Sequence, residues 1–160
     1  MAIELVRIDD RLIHGQVVTT WVKQKRIEQI LIINDDIVND PVQKSVFDMM
    51  APQDVLVKTF SIHKFIEVYH KTTIKRRTLI LLTNSVDALA LCQGGVDFNT
   101  LNLGGMKNKP GRKQYTKAVS LNEEELKALK MINETGVKVE IQMIPSEKIL
   151  TLNDLERNEK

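Results

Sequence analysis

A single cysteine, Cys92, stands in the 160-residue chain, so no internal disulfide can form. It lies in the apolar run 88–92 and reads as a buried small hydrophobe rather than a reactive thiol. That cysteine usage fits a cytosolic protein. Aromatic residues make up only 4% of the chain, which leaves aliphatic side chains to fill the core. No run approaches the ~18 apolar residues of a membrane span. The first residues enter a strand-like segment, with no signal peptide expected. Any transport role must then rely on separate membrane partners. Neither sign of charge dominates: 23 basic against 21 acidic residues leave a net +2, which argues against nucleic acid as the main partner. Internal repeats, low-complexity segments and linkers are also missing, so one domain fits better than two.

The content that is present is that of a soluble globular domain, with 42% apolar and 28% charged residues. A chain of this length can bury most of its apolar surface without metal or disulfide support. Strand-like runs rich in Val, Ile and Leu fall at residues 3–8, 30–33, 54–60, 78–82, 100–103 and 137–143, with a short one at 117–120. Helical spacing of Val17, Trp21 and Val22 predicts a helix over 16–26. Further helices are expected at 40–50, with Pro41 in its first position, at 61–70 behind a Ser61 cap, at 87–92, and at 123–134 behind Asn122 or Ser120. Gly94-Gly95, Gly104-Gly105 and Gly136 read as stop signals, and Pro145 as the opening of a final helical turn. Residues 153–160 read as a frayed polar tail, which leaves 1–152 as the domain. Strands alternating with helices predict an α/β fold: one domain with an open, mainly parallel twisted sheet and helices on both faces.

In such sheets, ligands bind beyond the carboxyl ends of the strands, near the topological switch point. The loops at that edge are 9–15, 34–39, 83–85 and 104–113. The first holds Asp9, Asp10, Arg11 and His14. The third holds Thr83 and Asn84, and in the fourth Gly104 and Gly105 precede Lys107, Lys109, Arg112 and Lys113, with Lys117 just beyond. Together they read as a surface for an anion. The bland reading of the basic stretch is a solvated loop.

Only three histidines exist, His14, His63 and His70. The last two share one helix face without a third ligand nearby, so no metal site is expected there. His14 sits between a strand and a helix, immediately before Gly15. The open N–H groups of a helix start favour negative charge, and a phosphoryl group on the ring would fall near them. Gly15 leaves room for a close approach. Arg11 could pair with phosphate oxygens, while Asp9 or Asp10 could orient the ring. A free imidazole titrates near pH ~6.5, so it is largely neutral at pH 7, as a nucleophile must be. Against this stands the plain alternative that His14 only caps the helix. No Ser or Cys forms a nucleophile–base pair with it, and neither a P-loop nor a dinucleotide fingerprint is present.

The run Arg7-Ile-Asp-Asp-Arg-Leu-Ile-His-Gly-Gln-Val17 resembles the active-site loop of the IIB subunits of the mannose/fructose/sorbose family in the bacterial phosphoenolpyruvate-dependent sugar phosphotransferase system. Asn34-Asp35-Asp36, Asp40-Pro41-Val42-Gln43, Asn102-Leu-Gly-Gly-Met106, Ala118-Val119-Ser120 and the segment from Val139 to Pro145 are similar to the family too. The resemblance implies a phosphocarrier, a protein-histidine phosphotransferase acting on a sugar. His14 would accept a phosphoryl group from a IIA histidine and pass it to the sugar during import by membrane IIC and IID subunits. Arg11 matches the phosphate-loop arginine, and Asp9, Asp10, Gly15 and Gln16 match the rest of the loop. Lys107 is a departure, standing where many members resembling this chain carry histidine. The resemblance further implies a cytoplasmic protein at the inner face of the membrane, self-association, and no cofactor. A nucleotide-binding domain and a non-catalytic regulatory module are the competing classes. The first lacks a base-stacking or glycine-rich pocket here, and the second is disfavoured by the intact loop 11–15.

Overall fold

In the computed structural model, residues 2–157 are described. Aliphatic runs dictate the centre of the fold. In β2 (Gln29–Ile33) and β4 (Thr78–Leu82) every residue is buried, the pattern of strands covered on both faces. They are joined by β1 (Ile3–Asp9), β3 (Leu56–Phe60), β5 (Thr100–Gly105), β8 (Lys138–Ile141) and β9 (Leu150–Thr151) in one sheet of order β3-β2-β4-β1-β5-β8-β9. Every pairing in it is parallel except that of β9 with β8. A separate short hairpin is made by β6 (Lys113–Gln114) and β7 (Ser120–Leu121).

Alternation along the strands supplies two cores. On one face α1 (Gly15–Lys25) and α2 (Pro41–Met50) place Val18, Trp21, Val22 and Phe47 over Leu5, Ile30, Ile32, Leu79 and Leu81. On the other, α3 (Ile62–Lys71), α4 (Ser85–Gln93), α5 (Glu123–Glu134) and α6 (Leu152–Arg157) bring Phe65, Leu91, Leu129, Ile132 and Leu155 onto Val6, Ile8, Leu31, Ile33, Ile80 and Leu82. Helix starts are set by side chains that take orphan amides: Asp40, Ser61, Asn84 and Asn122 each accept from the amide three residues on. Asn122 and Glu125 complete a reciprocal capping box.

The structure departs from the sequence expectations at several ends. Helix α4 starts at Ser85, because Asn84 caps it. Gly104 and Gly105 do not close β5 but belong to it. The last parallel strand is shorter than 137–143. Residues after Pro145 form a turn without a helix, since the Gln142 side-chain amide donates to the carbonyls of Pro145 and Glu147. The expected strand at 117–120 is displaced to β7. Residues 153–157, read as the start of a polar tail, form most of α6 and bury Leu155 completely. Residues 158–160 of that tail lie outside the described residues. Among the described residues no helix is long and apolar enough to cross a membrane.

Candidate functional site

β1 is the strand at which the chain's direction of winding changes, with β4 on one side and β5 on the other. Its carboxyl end is therefore the switch point, and the loop 10–14 leaves from it. Leu12 and Ile13 are buried in the α1-side core and pin this loop. Leu12 has φ +57°, a left-handed conformation unusual for a leucine, and its N–H donates to the Asp9 carbonyl at 2.9 Å. Gly15 follows at φ +48°, where a side chain would be strained whatever the free space.

His14 is the N-cap residue of α1 in an extended conformation, but its side chain makes no capping hydrogen bond. The ring, 19% exposed, turns to Asp9 instead, with Nε2 at 2.9 Å from Oδ2. An ionised carboxylate only accepts, so Nε2 carries a proton, and in the neutral ring it is Nδ1 that keeps the lone pair. Among the described residues nothing bonds to Nδ1. The first-turn amides of α1 also lack a side-chain cap, and no acidic residue sits in that turn, an arrangement suited to an anion.

Asp9 is fully buried, and four donors converge on it. Arg11 approaches Oδ1 with its backbone N–H at 3.1 Å and Nε at 3.5 Å, while Arg7 Nη2 reaches Oδ2 at 3.0 Å beside His14. Burial alone would push the Asp9 carboxyl up. The hydrogen bonds from His14 and Arg11 and the charge of Arg7 overcome it and hold the group below the ordinary carboxylate range. The folded value thus lies under the unfolded one, so Asp9 stabilises the fold above the usual carboxylate pKa of ~4 and loses that contribution as pH falls through the folded value. Thermal midpoints taken across this acid range should fall more steeply in the wild-type protein than in Asp9→Asn. Parallel curves would contradict the depressed value.

Arg7 was missed by the sequence reading. It points from β1 to the same face as Asp9, is fully buried, and stacks its guanidinium 5.5 Å from the Trp21 ring. Nη1 donates to Asn102 Oδ1 and to the Gln142 carbonyl, while among the described residues Nε has no partner. The β1–β5 register shifts so that Ile8 pairs with Leu103 but Asp9 with Gly105, which leaves Gly104 as the extra residue of a bulge. A Cβ at Gly104 would overlap the guanidinium carbon and both terminal nitrogens of Arg7. The available signal was a charged residue in the middle of a mainly apolar strand, two positions before Asp9.

Of the other candidates, Asp10 does not face the imidazole. Its Oδ2 accepts the Lys107 N–H at 2.8 Å and pairs with Arg112 at 3.4 Å, which ties loop 10–14 to the basic loop after β5. The Arg112 side chain is only 4% exposed and is held by Glu125 at 2.7 Å and the Lys107 carbonyl at 2.9 Å, so its charge is paired within the protein. Burial opposes that charge, yet Glu125 and Asp10 raise the Arg112 value above its ordinary level. Arg11 is different: its side chain is 49% exposed, and among the described residues nothing bonds to its terminal nitrogens. Gln16 is exposed on the first turn of α1. Thr83 accepts from Asn34 and from Asn84, and both residues line an open cleft of about 490 Å³ with Asp10, Lys107, Lys109 and Arg112. A second cleft of about 620 Å³ runs beside Arg11 over Gly104 and Gly105, between Lys107, Lys117 and Lys148. A third groove of about 520 Å³, over β5 and β8, touches none of residues 9–16.

Elsewhere, His70 bonds to the Gly94 carbonyl at 2.7 Å. Among the described residues no three or more His, Cys, Asp or Glu side chains are grouped to hold a metal ion. Cys92 is half-buried, and burial pushes its thiol up.

The whole chain fits one established family. The model of the "PTS system sorbose subfamily IIB component" matches residues 3–160. The sorbose-specific EIIB component of Klebsiella pneumoniae is 41% identical over 155 residues, covering 96% of this chain and 94% of that one. The mannose-specific EIIAB component of Escherichia coli (strain K12) is 36% identical over 97% of this chain, which spans 48% of that longer relative. Among solved structures, the IIBSor domain of the sorbose permease from Klebsiella pneumoniae superposes with a TM-score of 0.93 at 40% identity, covering 98% of each chain. The chain belongs to the sorbose-subfamily IIB components of the phosphotransferase system, a family of sugar-transport phosphotransferases.

Proposed function

We propose that the protein is a phosphocarrier in which His14 takes a phosphoryl group from a IIA histidine and gives it to a sugar. The observation that supports this most is the held ring: Nε2–H on a buried carboxylate, Nδ1 open, at the uncapped start of α1. In the acceptance step the Nδ1 lone pair forms the new N–P bond as the bond to the donor nitrogen breaks. Asp9 offsets the positive charge that develops on the ring. The first-turn amides and the exposed Arg11 guanidinium face the phosphoryl oxygens. Transfer to a sugar hydroxyl reverses this: the sugar oxygen forms the new O–P bond as the Nδ1–P electron pair returns to the ring, and the hydroxyl proton is released to solvent. Arg112 supports the site by fixing the neighbouring loop rather than by meeting phosphate. The fusion of A and B parts in the mannose-specific relative supports a IIA partner. Membrane IIC and IID subunits complete the route, which places the protein in the cytoplasm at the inner face of the membrane.

The test is intact-protein mass after incubation with phosphoenolpyruvate, the two general phosphotransfer proteins and a sorbose- or mannose-type IIA. One phosphate is expected, lost in acid, mapped to His14 and assigned to Nδ1 by phosphorus–nitrogen coupling. No adduct, or one on another residue, overturns the reading.

A further inference from the structure

We propose that Arg7 is a positioning residue for phosphoryl transfer: its buried guanidinium holds Asp9 as an anion against Nε2, which fixes the tautomer that leaves Nδ1 free. This rests on His14 being the carrier. Asp9 has no exposed surface, and such a carboxyl without a counter-charge takes up a proton. A protonated Asp9 would donate to Nε2 and so stabilise the opposite tautomer, with hydrogen on Nδ1, where the new bond must form. Two cations face Asp9. Arg11 is half-exposed and is needed at the phosphoryl group, whereas Arg7 is sealed between Trp21, Asn102 and the Gln142 carbonyl and cannot swing away.

The geometry fits a fixed role. Arg7 Nη2 and His14 Nε2 share one oxygen of Asp9, at 3.0 and 2.9 Å. Glycine at the bulge position 104 leaves free the space that a side chain there would take from the guanidinium. The same contact serves the outgoing step. While Nε2 keeps its proton, breaking the Nδ1–P bond releases neutral imidazole. Without that proton the leaving group would be an imidazolate, which is far poorer. Arg7 does this without touching the phosphoryl group. Besides Asp9 and Arg11, Glu147 after β8 acts on Arg7 at longer range. From β5, Asn102 and the two glycines are uncharged.

The experiment uses ¹⁵N-labelled full-length protein as wild type, Arg7→Met, Arg7→Gln, Arg7→Lys and Asp9→Asn. Ring-nitrogen shifts report the His14 tautomer near neutral pH, and mass spectrometry reports the rate of phosphorylation by IIA. Wild type and Arg7→Lys should show hydrogen on Nε2. Arg7→Met, Arg7→Gln and Asp9→Asn should lose that preference and accept phosphate ~10- to 100-fold more slowly, by analogy with the loss when a partner that orients a metal-ligating histidine is removed. A folded neutral Arg7 variant with the wild-type tautomer and rate overturns the proposal. Should neither neutral variant fold, an unchanged tautomer in Asp9→Asn overturns it. If the wild type takes no phosphate on His14, the carrier reading fails instead. The tautomer comparison, which needs no phosphate, still judges the Arg7–Asp9–His14 link.

Discussion

His14→Ala is expected to abolish phosphoryl acceptance, with no detectable adduct, while the protein stays folded. The ring lies at the surface end of β1, and among the described residues its only hydrogen bond is to Asp9. Removing it leaves Asp9 with Arg7 and Arg11, so no charge is stranded. The loop is anchored by Leu12 and Ile13, neither of which depends on the ring. A stability change of about 1 kcal/mol, the worth of one hydrogen bond, is therefore expected. The chemistry has no such reserve: among the described residues no other side chain offers an open ring nitrogen above the α1 start. Intact mass and a thermal melt on the same sample decide the matter. A retained adduct would reassign the site, and a collapse of the melt would show that His14 holds the loop together.

The layout of the sheet was legible because its signals are local. Runs such as Ile30 to Ile33 and Thr78 to Leu82 can only be interior strands, and Pro41, Ser61 and Asn122 announce helix starts by their own chemistry. The ends were less legible where a distant group decides them. Gly104 reads as a stop because glycine usually breaks a strand, yet here it lets the guanidinium of Arg7, on the neighbouring strand, pass. Residues 153–157 look polar because one turn of helix needs only Leu152 and Leu155 to dock.

The site shows the same division. His14, Arg11 and the helix start lie within a few residues of one another, so spacing alone assembles them. Choosing between Asp9 and Asp10 needed the fold. The residues are adjacent, but alternation sends Asp9 back under the loop beside Arg7, while Asp10 turns outward to Lys107 and Arg112. Arg112 looked like an anion ligand in a basic loop because Glu125 is distant in sequence. The ion pair between them exists only once α5 packs beside that loop.

Gly104→Ala is expected to be the most damaging substitution that removes no functional group. The added methyl would occupy the space of the Arg7 guanidinium. A flexible surface arginine would simply move aside. Arg7 cannot, being fully buried against Trp21, Asn102 and Asp9. Overpacking of this kind costs about 1–3 kcal/mol, and pushing the guanidinium off Asp9 adds the penalty of a broken buried pair, about 3–5 kcal/mol. Urea denaturation should thus show a loss of at least ~3 kcal/mol, together with slower phosphorylation of whatever remains folded. Gly105→Ala is the control: its Cβ would meet Asp9 Oδ1 at 3.6 Å, an ordinary contact, so a loss under ~1 kcal/mol is expected. If the two alanines cost the same, the damage comes from strand glycines in general and not from the Arg7 contact. If Arg7→Met relieves the Gly104→Ala defect, the clash itself is identified, because a neutral flexible side chain can yield the space that the charged one is bound to keep.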